Sequence, residues 1–319
     1  MGTKTLLATW RWHSPAGTGD RVFRVLLGVA AASVPALLLC MGIFLGVGAW
    51  PAIRRFGLEF LTTTTWDPVA RAFGALPMLY GTLVTSALAL VLAVPVGLGA
   101  AVFLSDLAPQ PVRPPVRFLT ELLAAVPSVV YGLWGIFVLV PWVRSALGPS
   151  LVQSLGPPLF VGPPLGVGFL TAGLVLGVMV VPFIVAVGTE VLQAVPLSQR
   201  EAAIALGATR WETIRLAVLP SARSGLAGAV LLALARALGE TMAVTMVIGN
   251  RPEIRTSLLA PGYTLAALVA NEFAEATDEL HVAALIAAGL LLLSTTVLAN
   301  VLARLLVVRT GGGPEAVRV

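Results

Sequence analysis

The stretch "PLSQREAAIALGATRWETIRLAVLP", residues 196–220, is a polar interval between two apolar runs, each long enough to cross a bilayer. Pro196 ends the run before it. Ser198 followed by Glu201 has capping-box spacing: the hydroxyl meets an early helical N–H and the carboxylate reaches back to the cap. A short helix is expected to run to Leu206, with Gly207 closing it in the left-handed conformation. Thr209 and Glu212 repeat the box two residues later, and a second helix is expected to stop at Leu219 and Pro220. Two short helices bent about a glycine would then project from the membrane. An amphipathic connector would fit this pattern, but Ala202, Ala203 and Ala205 leave a smooth face that another surface can approach closely. That face suits a docking element.

The rest of the chain sets the context. Of its 319 residues, 58% are hydrophobic and 11% charged, with a mean hydropathy of +0.95. Soluble domains carry about 25% charged residues. Six apolar segments qualify as spans, at 22–50, 76–104, 122–143, 165–193, 221–248 and 281–308. Pro35, Pro95, Pro127 and Pro182 fall inside them and are tolerable where neighbouring helices satisfy the freed backbone groups. The expected class is therefore an all-α membrane protein with six transmembrane helices. Its parts would be a tail at 1–21, a first helix and outer loop at 22–75, a helical core at 76–309 containing the 196–220 loop, and a second tail at 310–319. The first apolar segment is too long for the core of a cleavable signal and reads as an anchor.

Lys4 is the only lysine, so the pI of 10.3 reflects arginine. With the N-terminus inside, inner segments hold 13 Lys and Arg residues and outer loops hold 6, which puts both termini in the cytoplasm. This basic balance belongs to cytoplasmic loops and gives no reason to expect nucleic-acid binding. Glu272, Glu275, Asp278 and Glu279 fall outside as a solvated lip before the last span. Cys40, the sole cysteine, reads as a packing residue. Gly42 with Gly46, and Gly173 with Gly177, have the GxxxG spacing of close helix contacts.

The fifth span contains "ALARALGETMAVTMVIG", residues 233–249, with Arg236 and Glu240 in an otherwise apolar run. Taken as one helix from Ser221, Arg236 lies about 22 Å along it and Glu240 about 6 Å further on the same face. A lone arginine at that depth is unfavourable by about 2.5–3.5 kcal/mol or more, which pairing with Glu240 would offset. One reading is a structural ion pair. The other is an anion path, because a guanidinium fork matches two oxygens of phosphate and a carboxylate accepts the proton that phosphate carries and sulfate lacks. Thr241 adjoins Glu240 and is a weaker candidate, as are Thr245, Asn250 and Ser128. Hydroxyls in spans more often bond their own helix.

Glu201, Ala202, Ala203, Gly207, Leu219 and Pro220 resemble the EAA motif of ABC-importer permeases. The segments "FGALPMLYGTLVTSALALVLAVPVGLGAAVFLSDLAP", "ELLAAVPSVVYGLWGIFVLVP" and "RALGETMAVTMVIGN" are similar to PstC-type permeases of bacterial phosphate importers. The resemblance implies a type I ABC importer permease fold in the bacterial inner membrane. It makes Glu201, Ala202, Ala203 and Gly207 part of a coupling helix for the ATPase, and places Arg236 and Glu240, with Thr241 beside them, on the phosphate path. The partners it implies are a homologous PstA-type permease, ATP-binding PstB-type subunits, an extracytoplasmic phosphate-binding protein and membrane lipid. No cofactor of the chain's own is expected, ATP being bound by the partner. Alternatives are a permease for sulfate or molybdate, or a secondary anion carrier, in which the double-capped loop would have no task. An enzyme is not expected: His13, His281 and one cysteine offer no HExxH or Cys/His cluster, and Lys4 is in no phosphate loop.

Overall fold

The computed structural model describes residues 18–309. In chain order its helices are α1 (Thr18–Phe56), α2 (Glu59–Thr62), α3 (Leu76–Leu107), α4 (Arg113–Ala125), α5 (Ser128–Ser154), α6 (Phe169–Gln193), α7 (Leu197–Ala205), α8 (Arg210–Gly239), α9 (Met242–Ile248), α10 (Leu265–Glu272) and α11 (Glu279–Arg309). A two-stranded antiparallel ribbon, β1 (Trp66–Asp67) and β2 (Ala72–Phe73), lies between α2 and α3. Helices α1, α3, α5, α6, α8 and α11 are long and apolar enough to cross a membrane. The all-α, six-span architecture expected from the sequence is present.

Two compact units divide the chain, one up to Val47 and one from Gly48 onward. The described part of the first is helix alone, and its apolar side chains are almost all exposed, as suits contact with lipid. Nothing lies within 4 Å of a Cβ built at Gly42 or Gly46, so the contact expected from that pair is not made among the described residues. In the second unit α6 is central: 67% of its most apolar stretch is buried, against 28% for each of α3, α5, α8 and α11. Small residues let the helices around it come close. A Cβ at Gly173 would stand 2.5 Å from Leu88 Cδ2 of α3, so the Gly173 half of the second GxxxG pair does mark a tight crossing.

Two spans depart from expectation. The third was expected at 122–143 but runs over Ser128–Ser154, because Val126 and Pro127 are extended (ψ 130° and 140°) and cut the chain there. The residues before the cut form α4, with Phe118, Leu119, Leu122 and Leu123 exposed. The fifth begins at Arg210 rather than Ser221, passes through Leu219 and Pro220 without stopping, and ends at Gly239. A π turn at Ile214–Val218 explains the passage. The Leu219 N–H bonds Ile214 O, shifting the register just before the proline, whose missing donor then breaks nothing.

Residues 18–21, expected in the N-terminal tail, belong to α1. The rest of that tail and the tail at 310–319 lie outside the described residues.

Candidate translocation site and docking loop

Arg236 sits on the last turn of α8, partly buried, with its guanidinium carbon 4.2 Å from the centroid of the Phe183 ring on α6. Its Nε is shielded from solvent and has no hydrogen-bond partner. A cation over a ring contributes about 0.5–2 kcal/mol, most where water is excluded.

Glu240 is not its partner. α8 ends at Gly239, and Glu240 is extended (φ −71°, ψ 128°), so the i,i+4 register that would place both side chains on one face is lost. No Arg236–Glu240 ion pair occurs among the described residues. The cause is local. Gly239 is less favourable than alanine in a helix by about 1 kcal/mol, and the Glu240 carboxylate accepts the Ala243 N–H at 3.3 Å to cap α9.

Thr241 stands in the break itself, its hydroxyl 3.4 Å from Gly239 O. Thr245 donates to Thr241 O at 2.7 Å within its own segment, and Asn250, just past the end of α9, donates back to Thr245 O at 3.1 Å. Ser128 opens α5 after Pro127. Broken helix at membrane depth is tolerated where it is enclosed by protein or lines a watered cavity. An arginine beside such a break, with no carboxylate on it among the described residues, can receive an anion.

The 196–220 loop forms α7 and the first turns of α8. Its first capping box is absent: Pro196 takes the cap position (ψ 138°), the helix starts at Leu197, and Ser198 is already inside it. The carboxyl end is as expected. Gly207 has φ +91°, the Gly207 N–H meets Ile204 O at 2.9 Å and the Ala208 N–H meets Ala203 O at 3.1 Å, which is a Schellman closure. The second box is present, with the Glu212 N–H on Thr209 Oγ1 at 3.3 Å and the Thr209 N–H on Glu212 Oε2 at 2.8 Å. Glu201 and Ala202 are exposed, Ala203 is partly covered, and Ile204, Leu206 and Trp211 stand out in solvent.

Several polar contacts were not legible in the sequence. Arg200 forms an ion pair with Asp106 at the end of α3, and its Nη2 donates to Leu192 O at 2.7 Å. At the opposite end of the bundle Glu272 is no solvated lip. Its Oε2 accepts the Trp66 indole N–H at 2.8 Å and lies 3.1 Å from His281 Nε2, while Arg71 pairs with Asp278 at 2.7 Å. Nearby, burial pushes the Tyr263 phenol up to about 12. The signal for both clusters was a charged residue beside a span end, and only tertiary structure supplies the partner.

Residues 93–311 match the model of a family described as "Binding-protein-dependent transport system inner membrane component". The chain is 45% identical over 295 residues to a "Phosphate transport system permease protein PstC" of Mesorhizobium japonicum, covering 91% of this chain and 90% of that protein. A Haemophilus influenzae protein of the same name is 44% identical, with 91% and 93% covered. A "Probable phosphate transport system permease protein PstC" of Methanocaldococcus jannaschii is 36% identical over 80% of this chain and 82% of its own. Among solved structures it is similar to an inward-facing form of the MetNI methionine ABC transporter, at 19% identity and a TM-score of 0.49, covering 74% of this chain and 96% of that one.

Proposed function

The chain belongs to the family of binding-protein-dependent transport system inner membrane components, and from that premise we propose that it is the permease subunit through which an ATP-driven importer moves inorganic phosphate into the bacterial cytoplasm. It has the six-span architecture of a type I importer permease. A homologous PstA-type permease completes the path, PstB-type subunits bind and hydrolyse ATP beneath α7, and an extracytoplasmic phosphate-binding protein delivers the anion at the opposite end. Both termini are cytoplasmic, in keeping with the excess of arginine on that side.

One observation carries the reading. Arg236 stands at a helix break with Nε unbonded and, among the described residues, no carboxylate neutralising it, in a chain 45% identical to a phosphate permease. Its fork takes two phosphate oxygens, while Glu240 and Thr241 line the break. The Glu240 carboxylate keeps acceptor capacity beyond the Ala243 N–H, so it can take the phosphate O–H proton in a hydrogen bond. Because the charge is shared with a ring rather than locked in an ion pair, the anion is bound and still released.

The test is radiolabelled phosphate uptake by Arg236→Gln, with complex yield in mild detergent measured alongside. Losing a charge-assisted bidentate contact predicts a fall of about 10- to 100-fold at unchanged yield. Uptake near the parent level would overturn the path assignment. Excess unlabelled sulfate or molybdate that abolishes uptake would move the substrate to another oxyanion.

A further inference from the structure

We infer that Arg200 and Asp106 form the joint through which the 196–220 loop moves the membrane helices. This rests on the reading of α7 as the surface that the ATP-binding subunits engage. Helix α7 has no fully buried residue and Leu206 just beyond it is bare, so apart from the chain itself a push from below reaches the bundle through few contacts, on the face that carries Arg200 and Ile204.

Those contacts are directional. Arg200 pairs with Asp106 and also donates to Leu192 O at 2.7 Å, so one guanidinium ties α7 to the end of α3 and to the last turns of α6. Gln199 Oε1 accepts the Ser221 hydroxyl of α8 at 2.6 Å. Asp106 lies on the π turn Phe103–Leu107 and accepts the Ser105 hydroxyl at 2.6 Å, which holds its carboxylate in place. Apolar contacts are non-directional and can slide, whereas a guanidinium held at two acceptors resists displacement. Side-chain exposure is 18% for Arg200 and 9% for Asp106, so water and salt screen the pair weakly. Such a pair contributes little net stability against an apolar replacement. Its value is a fixed geometry between α7, α3 and α6, and α6 carries the Phe183 ring that holds Arg236.

The test uses the full complex with Asp106→Asn, Arg200→Gln and the two together, and Gly207→Val as a control on the loop. Each single variant is expected to lower the maximal uptake rate about 2- to 30-fold at matched complex yield. The half-saturating phosphate concentration should stay unchanged and ATP hydrolysis should continue, since neither residue meets the anion or the nucleotide. If the pair only holds the fold together, yield falls while uptake per assembled complex stays normal, and the joint is refuted. Should the single variants fail to assemble, a cross-linkable variant decides: Asp106→Cys with Arg200→Cys, in a Cys40→Ser background. Joining the two thiols with a short bifunctional maleimide is expected to restore uptake over the unjoined protein. Uptake that is lower after joining overturns a rigid joint. Normal uptake in Gly207→Val would instead refute the loop reading itself. If Gly207→Val blocks uptake while the pair variants transport normally, only the joint fails.

Discussion

At Arg236 the guanidinium lies over Phe183 with its Nε unbonded, so the ring and an anion do not compete for the same groups. The ring offers its π-face to the cation and takes no N–H hydrogen bond from the Nε that is left unbonded. Phe183→Leu therefore removes the support without touching the donors. Half-saturation for phosphate uptake is expected to rise about 2- to 30-fold, matching a cation–π contribution of about 0.5–2 kcal/mol, while Phe183→Tyr stays near the parent. A saturation curve for Phe183→Leu that overlays the parent would show that the ring is packing only. Arg236 and Glu240 stood out in the sequence because charge is rare in an apolar run. Phe183 did not, because an aromatic residue in a span is ordinary and its partner is on another helix.

At the scale of the element, Gly207 decides whether α7 turns into α8. Nothing lies within 4 Å of a Cβ built there, so a substitution meets no steric clash and acts only through φ +91°. Gly207→Val is expected to abolish ATP-driven uptake at matched protein level, since forcing a β-branched residue into that region costs about 1–3 kcal/mol. Gly207→Asn should retain much of it, because asparagine tolerates left-handed backbone. Equal uptake by both variants would separate the turn from function.

The Thr209–Glu212 box and the Gly207 closure were readable because caps are set by residues within one turn. The Ser198–Glu201 box was not, because Pro196 occupies the cap position two residues earlier and leaves Ser198 inside the helix. The break at Glu240 was hidden for a related reason: hydropathy runs smoothly across a backbone that changes direction.

At the scale of the molecule, the 13-to-6 distribution of Lys and Arg predicts an orientation that can be tested chemically. Thr63, between α2 and β1, and Thr209, between α7 and α8, are exposed at opposite ends of the bundle. In a Cys40→Ser background, Thr63→Cys should react with an impermeant maleimide in intact cells. Thr209→Cys should react only after the membrane is opened. The reverse pattern would invert the arrangement of every partner. The cluster of Trp66, Glu272 and His281, with Arg71 on Asp278, ties the β1–β2 ribbon to α10 and α11 at the Thr63 end.

The sequence by itself determined the number of spans, the glycine closure and second cap of the 196–220 loop, and the charged positions worth testing. Each of these is written in hydropathy or in residues within a turn of one another, where the physics is local. Tertiary structure alone decided that α6 is the centre, that α8 breaks before Glu240 rather than carrying it, and that Arg236 rests on Phe183. It alone also brought Arg200 to Asp106, with α4, α5 and α6 between them in the chain. These depend on which distant groups meet when the helices pack. In an apolar chain a charged side chain takes the partner that packing brings within reach, not the one nearest in sequence.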